Sequence, residues 1–315
     1  MLSQSLSLAH PPCVSAQCLP TLIELLAGAM HRKGTGLPVF DSYMVVDWSA
    51  NGTSKTGRDS LWIARHVQGG AVILDNPPTR AAAMTLIQSH LEDETRQARR
   101  VLAGFDFAFG YPEGLSHALA PDADWRDVWA FMHANLRDGP DNANNRFDMA
   151  AVLNRRFDGP GPFWGNGLSR DIPELPRRKP QGWGDSLPRN RRLADQLAKG
   201  AQEVWKLSGA GSVGGQSLTG IAALQGLRHR VPLAVWPFES AENKHLPVLA
   251  EVFPSLVPLD PALHPVRDAA QVSGLVTRLA QWDAEGRLAR MLQRRESFPD
   301  SARNHEAMIL GLAEC

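Results

Sequence analysis

Two acids in this chain stand where acids are costly. Asp47 closes the apolar run "YMVVD", and Asp106 sits within "VLAGFDFAFGYP" between Phe105 and Phe107. Both runs have the composition of a buried strand, in which a lone carboxylate carries a large desolvation cost. Taken singly, either acid could close a turn. Taken together, they describe two strands that each end in a carboxylate. If those strands are parallel neighbours, the carboxylates meet at one edge of the sheet and repel. One pKa then rises unless a cation lies between them. Hard divalent ions such as Mg²⁺ or Mn²⁺ suit oxygen ligands and keep several waters. Two such ions ~4 Å apart can activate a water and stabilise the leaving oxygen of a phosphodiester. Further acids are available in Glu251 of "AEVFPS" and Asp268 at the opening of "VRDAAQV". Asp268 equally suits the positive end of a helix dipole. Glu239 and Glu306 read as structural or supporting acids.

The elements around them must deliver the two strand ends to one place. "SYMVVDWSA" (42–50), "DSLWIARHVQ" (59–68) and "GGAVILDNP" (69–77) read as three strands with tight connections, an antiparallel meander. "TRAAAMTLIQSHLEDETRQAR" (79–99) has a helical period with Thr79 as N-cap, and it supplies the crossover that a parallel fourth strand at "VLAGFDFAFG" requires. The first and fourth strands are then parallel neighbours in mid-sheet. "NRRLADQLAKGAQEVWKLS" (190–208) reads as helical. "GAGSVGGQSLTGIAALQGLRHR" (209–230) is a Gly-rich turn feeding a helix. "VPLAVWPFE" (231–239) is a buried strand, and "LPVLAEVFPSL" (246–256) a strand or bend carrying Glu251. "VRDAAQVSGLVTRLAQWDAEGRLARML" (266–292) is one amphipathic helix, and "NHEAMILGLAEC" a short closing helix or strand. The expected fold class is α/β: a mixed sheet, antiparallel meander plus parallel strands, flanked by helices. Residues 1–41 form an N-terminal tail with a short helix at "LPTLIELLAGAMHRK". Within 42–315, residues 113–200 form an irregular helical insertion with helices near 124–137 and 147–157.

Two segments outside the acids also have chemistry to offer. "KLSGAGSVGGQSLTG" (206–220) could form an anion-binding nest of backbone amides at a helix N-terminus, with Lys206, Ser212, Gln216, Ser217 and Thr219 as added donors. It matches neither a P-loop nor a dinucleotide fingerprint, and a close-packed turn between helices explains it as well. Arg155, Arg156, Arg177, Arg178, Lys179, Arg189, Arg191 and Arg192 cluster in the insertion beside Trp164 and Trp183. That mixture suits either a flexible nucleic-acid path or a solvated surface of snorkelling arginines. His133, His245 and His305 show no paired ligand spacing, and no Gly-x-Ser-x-Gly elbow is present.

The bulk composition narrows the classes. The 315 residues carry 33 basic and 33 acidic side chains, so no global charge draws the chain to nucleic acid or membrane. Hydrophobic residues make up 43%, enough for a sizeable core. The three cysteines, Cys13, Cys18 and Cys315, form no CxxC pair, which argues against a disulfide scaffold or a cysteine zinc site and fits a reducing, cytoplasmic compartment. No membrane span or secretory leader is read.

Taken in order, "VVDWSA", "GFDFAFGYP", "EVFPS" and "VRDAAQV" resemble a large family of predicted nucleases with an RNase H-like fold, domain of unknown function family 429. The resemblance covers most of 42–315 at low density, and Ala108 stands where that family usually has a proline. It implies an RNase H-like fold and metal-dependent phosphodiester cleavage. Asp47, Asp106, Glu251 and Asp268 are the matching acids. On this reading Asp47 bridges two Mg²⁺ or Mn²⁺ ions, Asp106 and Asp268 each hold one, and Glu251 ligates or positions the attacking water. Two rival functions remain open. One is a nucleotide-binding ATPase or kinase-like protein of the same superfamily, and the other is a binding module without turnover.

Overall fold

A computed structural model describes residues 38–181 and 187–312, all within the compact unit Thr35–Cys315. The proposed helix at "LPTLIELLAGAMHRK", Trp183 and the three cysteines lie outside the described residues.

The meander forms as the apolar alternation requires. β1 (Ser42–Asp47), β2 (Trp62–Val67) and β3 (Val72–Asp75) pair antiparallel in sequence order. α1 (Arg80–Arg96) follows, and the Thr79 hydroxyl accepts from the Ala82 amide as its N-cap. That crossover delivers β4 (Val101–Phe105) parallel to β1, with Val46 opposite Phe105. β5 (Ala234–Trp236) and β6 (Val248–Glu251) complete a six-stranded mixed sheet of order β3-β2-β1-β4-β6-β5. Glu251 is therefore on a strand, not in a bend.

Period-two alternation sends successive side chains to opposite faces, and each face has its own core. Val46, Trp48, Phe105 and Phe107 pack with α1 and α6 (Gly214–Arg228). Tyr43, Val45 and Leu102 pack with α7 (Arg267–Ala284). The last turn of α7 is fixed by Asp283, whose buried carboxylate accepts from the Tyr43 hydroxyl at 2.7 Å and from the Val39 and Phe40 amides. The expected single helix over 266–292 breaks at Gly286, a left-handed position at φ 67°, before α8 (Arg287–Gln293) resumes.

The region between β4 and α6 holds α2 (Gly114–His117), α3 (Trp125–Asn135), α4 (Arg146–Asn154) and α5 (Leu193–Leu197). Its apolar side chains, Trp125, Trp129, Phe147, Phe163 and Trp205 among them, join the same core as Val46 and Phe105. The expected helix over 190–208 is confined to α5. Gly200 is left-handed at φ 89°, and the chain beyond it pairs with Trp164 through the Trp164 amide to the Trp205 carbonyl and the Leu207 amide to the Trp164 carbonyl. Tertiary pairing there overrides helix propensity.

α6 lies close against the sheet because Gly220 faces the Phe107 ring. A Cβ at Gly220 would sit 2.3 Å from that ring, which Trp48, Phe105 and Phe109 hold in place. Alanine would add ~1 kcal/mol of helix propensity, but overpacking costs about 1–3 kcal/mol. Gly220→Ala is expected to lower stability by up to roughly 2 kcal/mol on balance. Urea unfolding measures this, and a raised midpoint would contradict the close contact.

Candidate active site

The parallel register that sets Val46 beside Phe105 carries on by one residue, with the Asp106 amide donating to the Val46 carbonyl at 3.2 Å. Asp47 and Asp106 thus lie side by side at the carboxyl ends of β1 and β4. Alternation turns both toward the face covered by α7, and Asp268 in the first turn of α7 comes up to them. The Trp48 amide donates to Asp106 Oδ1 at 2.8 Å. Among the described residues no lysine, arginine or histidine bonds to Asp47 or Asp106.

The electrostatics follow from that arrangement. Burial pushes the Asp47 carboxyl well above its usual range, and the Asp106 carboxylate beside it, with Asp268 and Asp59 further off, pushes in the same direction. Burial also pushes Asp106 up to about 6, although the Trp48 amide opposes this. Two such neighbours share one proton when no cation is present. The donor set is all hard oxygen, half-buried and electron-rich, and it fits Mg²⁺ or Mn²⁺. The carboxylates of Asp47, Asp106 and Asp268 do not close into a set within 4.8 Å.

Asp47 and Asp268 open onto a cavity of about 570 Å³ whose lining also includes Asp59, Arg146, Ser212 and Gln216, while Asp106 lies outside that lining. Sequence reasoning missed Asp59 and Arg146. The Asp59 amide donates to Asp268 Oδ2 at 2.8 Å and so orients that carboxylate. Arg146 lies over the Phe147 ring at 4.4 Å and donates through Nη1 to Asn144 Oδ1, while its buried Nε has no partner. Burial, followed by the Arg80 charge, lowers its pKa to about 10, so it stays cationic at neutral pH. No motif marks it, because its role depends on α4 meeting the cavity. Gly215 permits that approach, since a Cβ there would come within 3.2 Å of both Ala50 and Arg146 Nε.

The Gly-rich segment divides. Ser212 and Gln216 line the cavity, and Gln216 Nε2 also holds the Trp48 carbonyl at 2.6 Å. Thr219 is buried, accepting from Trp48 Nε1 at 3.0 Å and donating to the Gly215 carbonyl. Thr219 therefore positions the residue after Asp47 and offers nothing to a ligand. Ser217 is buried and bonded to the Val213 carbonyl. Lys206 is held by the Ala210 carbonyl and lies over the Trp164 ring, outside the cavity lining.

Glu251 does not join the acids. Both its oxygens receive Arg192 at 2.7 Å, and the Phe109 amide donates to it at 3.0 Å. Arg192 also holds Asp195. A carboxylate so committed has no free lone pair directed at the cavity, and the ligand role assigned to Glu251 is corrected to a structural one. Glu306 and Glu239 are structural too: Arg189 and the Leu193 amide hold the first, and Arg228 and the Val235 amide hold the second. The basic cluster is largely spent internally. Arg155 pairs with Glu174, Arg177 with Asp171 and Lys179 with Glu203.

No protein-family model, curated protein or solved structure matches this chain. The site thus rests on its own geometry. No helix among the described residues is long and apolar enough to cross a membrane.

A carboxyl whose folded pKa lies above its unfolded one takes up a proton on folding. Its contribution is fully favourable below the unfolded value and is lost as pH rises through the folded one. For Asp106 the window runs from 3.8 to about 6, and for Asp47 it extends higher. In EDTA, wild type is expected to gain thermal stability as pH falls from ~7 to ~5. Asp106→Asn keeps the acceptor for the Trp48 amide and removes one charge. It should be more stable than wild type near neutrality, with the difference shrinking on acidification. Calorimetric melting temperatures across pH check this, and an unchanged difference would contradict the shared proton.

Proposed function

We propose that this chain is a metal-dependent hydrolase of phosphodiester bonds in nucleic acid, built on an RNase H-like sheet. The single observation carrying this reading is a pair of half-buried strand-end carboxylates with no bonded cation, of which Asp47 lines, with Asp268, a cavity that also includes a cationic arginine. The sheet supports it, because an antiparallel meander followed by parallel strands, with acids at the ends of the first and fourth, is what the RNase H-like reading requires.

Asp47, Asp106 and Asp268 would hold Mg²⁺ or Mn²⁺, which when bound lowers the pKa of a water and stabilises charge on the leaving oxygen. The remaining work falls to the chain. Asp59 orients Asp268 through its amide. Gln216 and Thr219 fix Trp48, and Trp48 fixes Asp106. Arg146, a cationic side chain in the cavity lining, suits a phosphate oxygen of the substrate. Ser212 adds a hydroxyl to the same lining. The cavity thus sorts charge, with acids that would hold the cations and an arginine for the phosphate of the substrate.

The test is cleavage of labelled single-stranded and duplex oligonucleotides with Mn²⁺. Asp47→Asn is expected to lose activity by at least about 100-fold while remaining folded. Arg146→Met is expected to raise KM by about 10-fold or more with a smaller change in kcat, as loss of a charged hydrogen bond to substrate would. Cleavage that survives Asp47→Asn, or hydrolysis of ATP in place of oligonucleotides, would overturn the proposal.

A further inference from the structure

Away from the strand-end acids, three side chains from distant parts of the chain converge. Glu113 and His117 lie one helical turn apart at α2, on the same side. His305 comes from the π-helical turn Ala302–Glu306. Glu113 Oε1 is 3.8 Å from His117 Nε2 and 3.9 Å from His305 Nε2. The two rings meet edge-on with centroids 5.2 Å apart, and the ligand atoms of all three residues lie within 4.8 Å of one another. We propose that Glu113, His117 and His305 form a binding site for a Zn²⁺-class transition-metal ion.

The hydrogen bonds around His305 assign its lone pair. The Ser116 hydroxyl has one proton, and it donates that proton to the Glu113 carbonyl at 2.8 Å. At 2.7 Å from His305 Nδ1, the same oxygen must then accept, so Nδ1 carries the hydrogen. Nε2 is left with its lone pair aimed at a carboxylate oxygen and a second imidazole. Three electron-rich atoms facing one gap call for a cation between them. An outer partner on the distal nitrogen is also how protein sites orient a ligating histidine.

The backbone prepares the same arrangement. The Tyr111 amide donates to the His305 carbonyl. Gly110 allows that approach, since a Cβ there would lie 2.1 Å from the His305 oxygen. The next residue, Glu306, is held through its carboxylate by Arg189 and the Leu193 amide and through its carbonyl by Arg192. His305 is thus fixed, with its side chain 12% exposed, while Glu113 and His117 are 47% and 45% exposed and free to close in. Ligand atoms around a tetrahedral metal sit ~3.3 Å apart, so each of the two Glu113–histidine separations has to shorten by roughly half an ångström. Two imidazoles and one carboxylate favour Zn²⁺ over Mg²⁺ and leave a fourth position for water.

The test uses the full chain in an Asp47→Asn/Asp106→Asn background, which removes the strand-end acids as competitors. After chelation, Zn²⁺ is titrated calorimetrically. One equivalent is expected, raising the melting temperature. Both His117→Ala and Glu113→Gln should weaken binding by about 10-fold or more without changing the melting temperature of the metal-free protein, since both side chains are exposed. Co²⁺ substituted for Zn²⁺ should give a visible d–d spectrum without thiolate charge-transfer bands, which excludes Cys13, Cys18 and Cys315 as ligands. No bound equivalent, thiolate bands, or affinity unchanged in both variants would overturn the site.

Discussion

Two carboxylates at the ends of adjacent parallel strands cannot both stay charged in a half-buried cleft unless a cation joins them. That constraint organises the end of the sheet where β1 and β4 stop. The meander and the α1 crossover set β1 beside β4, and the register sets Asp47 beside Asp106. α7, tied down by Asp283 at its far end, brings Asp268 to the same place. A fold that builds repulsion into its sheet in this way gives up stability, which a divalent cation bound there would restore.

The treatment of the other buried acids sharpens the contrast. Glu251 ends β6 beside Phe105, one strand over from Asp106, yet Arg192 satisfies it fully. Arg192 also reaches Asp195 and the Glu306 carbonyl, so one guanidinium joins α5, β6 and the turn carrying His305. Removing one partner of a buried charge network costs far more than forming it gains, and this network pins the irregular region to the sheet. Acids with a structural task have an arginine or, in Asp283, two backbone amides and a hydroxyl. The two strand-end acids have a single backbone amide and each other.

Much of this was legible because it depends on local pattern. Asp47 and Asp106 follow apolar runs that only a buried strand explains, the β2–β3 hairpin follows from its short Gly69-Gly70 connection, and Thr79 marks the start of α1. The stretch after Gly200 reads as helix in the sequence, because its actual structure depends on pairing with Trp164, a partner that no local period reveals. Glu251 looked like a ligand because strand-end acids look alike until their partners are known, and Arg192 is 59 residues away. Arg146, Glu113, His117 and His305 carried no motif. Their meaning comes from which surfaces α4, α2 and the closing turn bring together.

The central claim is that Asp47 and Asp106 share a divalent cation. Crystals grown with Mn²⁺, measured at the manganese absorption edge, test it most directly. The account predicts an anomalous peak between the two carboxylates with Asp268 drawn toward it. A cleft holding no manganese, while the ion binds at other acids, would contradict it.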